Sequence, residues 1–338
     1  MAFEIWNRRY TGSKYKLSDW IVKLISENCC GKSFCDIFAG TGIMSKQMLD
    51  TMDEIHINDF LFSNEVIYKA FFEQKKYSIR KLEKFKKVFC ELNPNELSEN
   101  YVSESYGGKF FSNNDALLIG YIREYLELSD ELNNKEKNIL LASLLYSADK
   151  CANTVGHYDA YIKGKHIPDT FKFELISPYI CEDKKIKITR KDANQLAKEL
   201  ESDIVYIDPP YNSRQYSRFY HVLENITTWK KPTLYGEARK PEAENMSEYC
   251  RNSATKTFED LILSLKCKYI VVSYNNTYNS KSSSSKNKIT LEDIKTILQK
   301  KGTVTVYEKS HQYFNAGKTA LDDHKELIFI AKVGENDD

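Results

Sequence analysis

The run Ile204-Val205-Tyr206-Ile207, followed at once by Asp208-Pro209-Pro210-Tyr211, constrains this chain more than any other stretch. A short β-branched and aromatic segment between Asp203 and a double proline reads as a buried strand. Proline has no N–H to give to a sheet ladder, so the strand must end at Asp208. In an open α/β sheet the ligand crevice lies just beyond such carboxyl ends. Asp208 offers a carboxylate acceptor there, Pro209 and Pro210 hold a stiff backbone with free carbonyls, and Tyr211 offers a flat π-face. Together these suit a planar group that carries an amino donor, and a nucleobase with an exocyclic amine meets that description.

A second unit stands near the N-terminus. Phe34–Phe38 reads as a strand, Ala39-Gly40-Thr41-Gly42 as a turn and residues 43–52 as a helix, and residues 54–58 alternate as a second strand finishing at Asp59. Strand, glycine turn, helix and second strand form a βαβ nucleotide-binding unit. Gly40 and Gly42 lack the third glycine of the dinucleotide fingerprint, so the turn alone decides little. Asp59 lies 17 residues after Gly42, about where a ribose diol needs a bidentate acceptor. Strands are also expected at 186–190, leading to Asp192, and at 269–274, 303–309 and 326–333. The last two read as an antiparallel pair. The expected fold class is therefore α/β, Rossmann-like, with a mostly parallel sheet, an antiparallel C-terminal hairpin and a mainly helical insertion.

The insertion is where the parallel rhythm stops, over 61–182, which leaves 1–60 and 183–338 as the sheet domain. Residues 61–90 look helical and basic, 91–114 loose, and 115–129 and 134–151 helical again. A solvated face explains the lysines of 75–87 as readily as a binding surface does. His157 and Tyr158 sit in a polar, aromatic turn and suit either a packed loop pair or a ligand contact. Residues 230–255 read as an irregular loop, 275–288 as a serine-rich excursion and 311–324 as a loop. A net charge of +1 neither requires nor excludes nucleic acid, so a nucleic-acid binder must gather its cations on one face. No apolar run reaches the length of a membrane span, and the first 25 residues do not resemble a signal, so a cytosolic protein is expected. The eight cysteines form no Cys-x-x-Cys and no histidine pair has metal spacing, so reduced thiols and no metal site are expected.

Taken in order, Tyr10-Thr11-Gly12-Ser13-Lys14, Asp36-Ile37-Phe38-Ala39-Gly40-Thr41-Gly42, Asn58-Asp59, Asp192-Ala193 and Asp208-Pro209-Pro210-Tyr211 resemble the Dam-type, alpha-arranged adenine DNA methyltransferases. The run from Asp208 to Tyr216 looks most like the modification methylases of type II and type IIS restriction systems. The resemblance covers roughly 8–60 and 185–333. It implies S-adenosyl-L-methionine as cofactor, lined by Phe38, Gly40 and Gly42, with Asp36 near its methionine end. It also implies that Tyr10 and Lys14 hold the methionine part, Lys14 as partner of the carboxylate. Asp59 would take the ribose hydroxyls, and Asp192, with the Ala193 backbone, the adenine amine. Asp208 and the Pro209 carbonyl would accept from the target 6-amino group while Tyr211 stacks on the flipped base.

Only 15 residues separate Asp192 from Asp208, too few for a recognition domain, so 61–182 is expected to read the sequence, with 230–255 contributing. DNA contacts are expected from Lys75, Lys76, Lys84 and Lys87 to phosphates, and from His157, Tyr158, Arg214 and Tyr216. The partner implied is double-stranded DNA, with a cognate restriction endonuclease acting separately, no membrane, and a monomeric state. Two alternatives are an RNA adenine methyltransferase and a non-catalytic DNA-binding module on the same fold. The first is opposed by the large insertion and the Asn212-x-Arg214-Gln215-Tyr216 tail, the second by the intact motifs.

Overall fold

Ile204–Ile207 is a fully buried strand in the computed structural model of the chain, which describes residues 2–276, 287–310 and 325–334. It is the fourth of seven: β1 (Ser33–Asp36), β2 (Glu54–Asn58), β3 (Lys185–Thr189), β4 (Ile204–Ile207), β5 (Tyr269–Asn275), β6 (Gly302–Ser310) and β7 (Lys325–Val333). They form one sheet in the order β3-β2-β1-β4-β5-β7-β6. β3, β2, β1, β4 and β5 are parallel neighbours, while β7 pairs antiparallel with both β5 and β6. This is the expected Rossmann-like class with its antiparallel C-terminal pair. Residues 277–286 of the serine-rich excursion expected at 275–288, and the loop at 311–324, lie outside the described residues.

The strand order puts the site where it is. From β1 the chain moves to β2 and β3 on one side, then returns to β4 on the other, so the order reverses between β1 and β4. A crevice opens at the carboxyl ends of the two strands flanking such a reversal. Asp36 closes β1 and is in register with Tyr206 of β4, which leaves Asp208 two residues further along the neighbouring strand. Because β7 runs backwards, its first residues come level with the end of β5: Glu326 pairs with Asn275. An acidic residue from the far end of the chain thereby reaches the same edge of the sheet.

The core beneath this edge is apolar. Val205, Ile207, Ile270, Val272 and Phe329 pack with Phe258, Leu261, Ile294 and Leu298 from the helices Ala254–Ser264 and Leu291–Gln299. Each such side chain contributes on the order of 1.5–3 kcal/mol by leaving water.

The chain divides into two compact units: Lys14–Phe60 with Asp183–Gln215 and Asn245–Asp338, which holds the sheet, and Met1–Ser13 with Leu61–Glu182 and Tyr216–Glu244. The second unit is mainly helical and joins 61–182 to two segments, 1–13 and 216–244, that the sequence reading placed with the sheet. The physical reasons are specific. Glu224 accepts from the backbone N–H groups of Phe62 and Ser63 at 3.0 and 2.8 Å, capping the helix Phe62–Phe72. Arg8 donates to Asn64 at 2.6 Å, and Tyr10 stacks on Tyr220 with centroids 4.8 Å apart. The stretch 91–114, expected to be loose, contains the helix Tyr101–Tyr106, opened by a reciprocal cap between Asn100 and Ser103. Among the described residues no helix is long and apolar enough to cross a membrane.

Candidate active site

The sheet unit gathers its acids at the carboxyl edge. Asp36 is buried at the end of β1, where its Oδ2 accepts from Ser45 at 2.9 Å and its Oδ1 has no hydrogen-bond partner among the described residues. Burial pushes the Asp36 carboxyl up to about 7 against the Ser45 hydrogen bond, with Asp208 and Asp59 adding repulsion. The turn that follows needs glycine. Gly40 and Gly42 have φ of 54° and 80°, a region that a Cβ disfavours. Asp59 accepts from the Gly40 N–H at 2.9 Å, which ties the acid at the end of β2 to the turn after β1. Phe38 is half-buried, edge-on to Tyr249 with centroids 5.0 Å apart.

Asp208 follows β4, and its side chain is only 16% exposed. The Lys14 ammonium lies 3.0 Å from its Oδ1 and 2.8 Å from Oε1 of Glu326. All three side chains are withdrawn from solvent, with Lys14 and Glu326 each 5% exposed. Burial pushes the Asp208 carboxyl up to about 6; Lys14 opposes the shift and Glu326 adds to it. Burial alone lowers a lysine, yet here the two carboxylates outweigh it and Lys14 is raised well above its ordinary value. At neutral pH Asp208 is therefore ionised and Lys14 protonated, with Glu326 on the far side of the ammonium.

Lys14, which the resemblance makes the partner of a cofactor carboxylate, turns its ammonium to two carboxylates of the chain itself. Tyr211, which the resemblance stacks on the flipped base, is 8% exposed, edge-on to Tyr274 at 82°, with the Lys14 ammonium 5.5 Å over its ring. It is a wall ring of the cluster. Pro209 is buried and Pro210 half-buried beside it.

Asp192 uses Oδ1 to accept from the N–H groups of Asn194 and Gln195 at 3.0 and 3.1 Å, capping the helix Ala193–Ala197, in which Ala193 is buried. Arg214 is half-buried; its N–H donates to Asn212 Oδ1, and its carbonyl accepts from Cys250.

The helical unit holds the remaining candidates. The Tyr10 ring packs on Tyr220, Tyr216 and the Arg8 guanidinium. Tyr216 donates its hydroxyl to the Thr11 carbonyl at 3.1 Å. Tyr158 is fully buried and donates to Asp149 at 3.0 Å, so the expected DNA contact is withdrawn; it is a core residue. His157 stacks on Phe219 with centroids 4.5 Å apart. Lys75 pairs with Glu73 and Lys87 with Glu91, whereas Lys76 and Lys84 are exposed with no ion-pair partner among the described residues. Sequence reasoning missed Glu326: one acid opening an apolar strand looks like a solvent-facing gatekeeper, and no spacing links it to Lys14.

The donor groups of S-adenosyl-L-methionine are an ammonium, a ribose diol and an adenine amine, and the acids at the ends of β1, β2 and β3 match them in kind. The unpartnered Asp36 Oδ1 and the positive-φ glycine turn fit such a ligand: one is an acceptor without a donor, the other a backbone stripped of side chains. A seven-stranded sheet in this order, with its antiparallel final pair and its acids at the carboxyl edge, fits an S-adenosyl-L-methionine-dependent methyltransferase.

The particular family follows. The family described as D12 class N6 adenine-specific DNA methyltransferase has a model that matches residues 10–278, and the chain belongs to it. It is 30% identical over 335 residues to the type II methyltransferase M.NlaIII of Neisseria lactamica, covering 94% of this chain and 95% of that one. It is 31% identical over 336 residues to the type II methyltransferase M.CviAII of Paramecium bursaria Chlorella virus 1, covering 96% and 98%. The modification methylase LlaI of Lactococcus lactis subsp. lactis is 32% identical over 288 residues, 79% of this chain and 46% of that one. The protein is an enzyme that methylates the 6-amino group of adenine in DNA from S-adenosyl-L-methionine.

Proposed function

We propose that the chain is the modification methylase of a restriction-modification system, acting on adenine in double-stranded DNA by base flipping and direct transfer. The observation that carries the chemistry is the Asp208 carboxylate at the tip of β4, beside the strand-order reversal and tied to Lys14. An exocyclic amine is a poor nucleophile because its lone pair is delocalised into the ring. Two acceptors, the Asp208 carboxylate and the Pro209 carbonyl, favour a pyramidal nitrogen whose lone pair is free to attack. S-adenosyl-L-methionine supplies the electrophilic sulfonium methyl when bound. Asp36, Asp59 and Asp192 are the acceptors proposed to hold it, with the Gly40–Gly42 turn giving close approach. Orientation does most of the remaining work and is worth on the order of 7–11 kcal/mol in well-aligned reactions. The target amine is inaccessible within a duplex, so the base must leave the stack at a cost of a few kcal/mol. The type II methyltransferases among the relatives support the restriction-modification context; a separate endonuclease and a monomeric state belong to the same reading.

Recognition is assigned to the helical unit. Lys76 and Lys84 are the members of the basic cluster proposed for phosphate contacts, since Lys75 and Lys87 are already matched by glutamates. Arg214 and Tyr216 stay with the DNA through the run that begins at Asp208. Exchanging 61–182 together with 216–244 for those of a relative of different specificity should move methylation to the donor's sequence. Sequencing of the modified product reads this out, and methylation still at the original sequence would overturn the assignment.

A further inference from the structure

Glu326 has no place in the chemistry described so far, yet its carboxyl is buried at the reacting edge against an ammonium. The antiparallel return of β7 brings it there, level with the end of β5. Its Oε1 stands 2.8 Å from the Lys14 ammonium, which stands 3.0 Å from Asp208. Burying a second carboxylate is costly unless it is paired, and one ammonium cannot fully match two. A chain that needed only a counterion for Lys14 already has Asp208. Among the described residues the charged and titratable groups that act on Asp208 are Lys14, Glu326, the Tyr206 hydroxyl and Asp36, and Lys14 is the one cation of that set.

We infer that Glu326 is a positioning residue for methyl transfer: it holds the Lys14 ammonium from the other side and keeps it from neutralising Asp208. The inference rests on the reading of Asp208 as the acceptor for the substrate amine. A carboxylate locked wholly to an ammonium is a weak acceptor. One that shares the ammonium with a second carboxylate keeps acceptor strength for an incoming N–H and remains ionised above its raised titration point. As pH falls through that point, about 6, Asp208 gains a proton and stops accepting, so the rate falls on the acid side.

The test is the pH profile of single-turnover transfer from labelled S-adenosyl-L-methionine to an adenine-containing duplex, for the wild type, Glu326→Gln, Glu326→Asp and Asp208→Ala. In Glu326→Gln the Lys14 charge goes wholly to Asp208. The acid limb should then move down by about one pH unit or more while the plateau rate drops. Glu326→Asp, one methylene shorter, retracts its charge from Lys14 and should move the limb the same way by less, so the inference is testable even where the glutamine variant does not fold. A merely structural role lowers the plateau and leaves the limb in place; that result overturns the inference. Transfer surviving in Asp208→Ala removes the acceptor reading and this inference with it. An unmoved limb with Asp208→Ala inactive removes the positioning role alone.

Discussion

Asp208→Ala is expected to remove methyl transfer, with a residual rate lower by about a thousandfold or more, while S-adenosyl-L-methionine still binds. The substitution deletes one of the two acceptors proposed for the amine and leaves the acids at the ends of β1, β2 and β3 in place. It should also leave the fold intact. With Asp208 gone, Lys14 retains Glu326 at 2.8 Å, so one buried ammonium is matched by one buried carboxylate. Rate and fold are thus separable in this variant. Equilibrium binding of the cofactor, thermal unfolding and single-turnover transfer measured on one preparation check all three; transfer near the wild-type rate would contradict the acceptor role.

Lys14→Met has the opposite profile, a loss of stability above all. It leaves Asp208 and Glu326 buried and charged with no cation between them. Removing one partner from a buried ion pair costs about 3–5 kcal/mol, because the remaining charge is uncompensated. The pH dependence has a definite sign. Asp208 has its titration point raised to about 6 in the folded protein, above that of an unfolded chain, so its unmatched charge is present above that pH and lost below it. Without Lys14 the point lies higher still. The stability deficit should therefore be full near about pH 8 and shrink as the pH falls toward about 6 and below. Adding Glu326→Gln to Lys14→Met should recover part of the deficit, since the two sites share one interaction. Denaturant unfolding at several pH values measures this, and a deficit of the same size at all of them would show that the cluster is not charged as described.

How far these features are legible in the sequence depends on whether their causes are local. β2 and β4 fall where alternation and the double proline place them, because side-chain period and the missing N–H act within a few residues. The glycine turn is legible for the same reason, since Gly40 and Gly42 fill positions that need positive φ. The unit boundary is not legible: it turns on Glu224 capping a helix that begins at Phe62 and on Tyr10 meeting Tyr220, contacts without a sequence period. Tyr158 and Tyr211 show a further limit. An aromatic beside a motif looks alike whether its ring is open or walled in, and only the packing separates the two. Glu326 was hidden because its role is created by strand direction; a parallel β7 would carry its first residue to the opposite edge of the sheet. The helix Tyr101–Tyr106 escaped notice because its polar sequence buries only Val102 and Tyr106.

The central claim is that a carboxylate at the tip of β4 holds the 6-amino group of an unstacked adenine for methylation. Sequencing that detects modified bases, applied to DNA from cells expressing the wild type or Asp208→Ala, tests it most directly. N6-methyladenine is expected at one short recurrent sequence with the wild type and none there with the variant. Methylation on another base, or the same adenines modified in both, would contradict it.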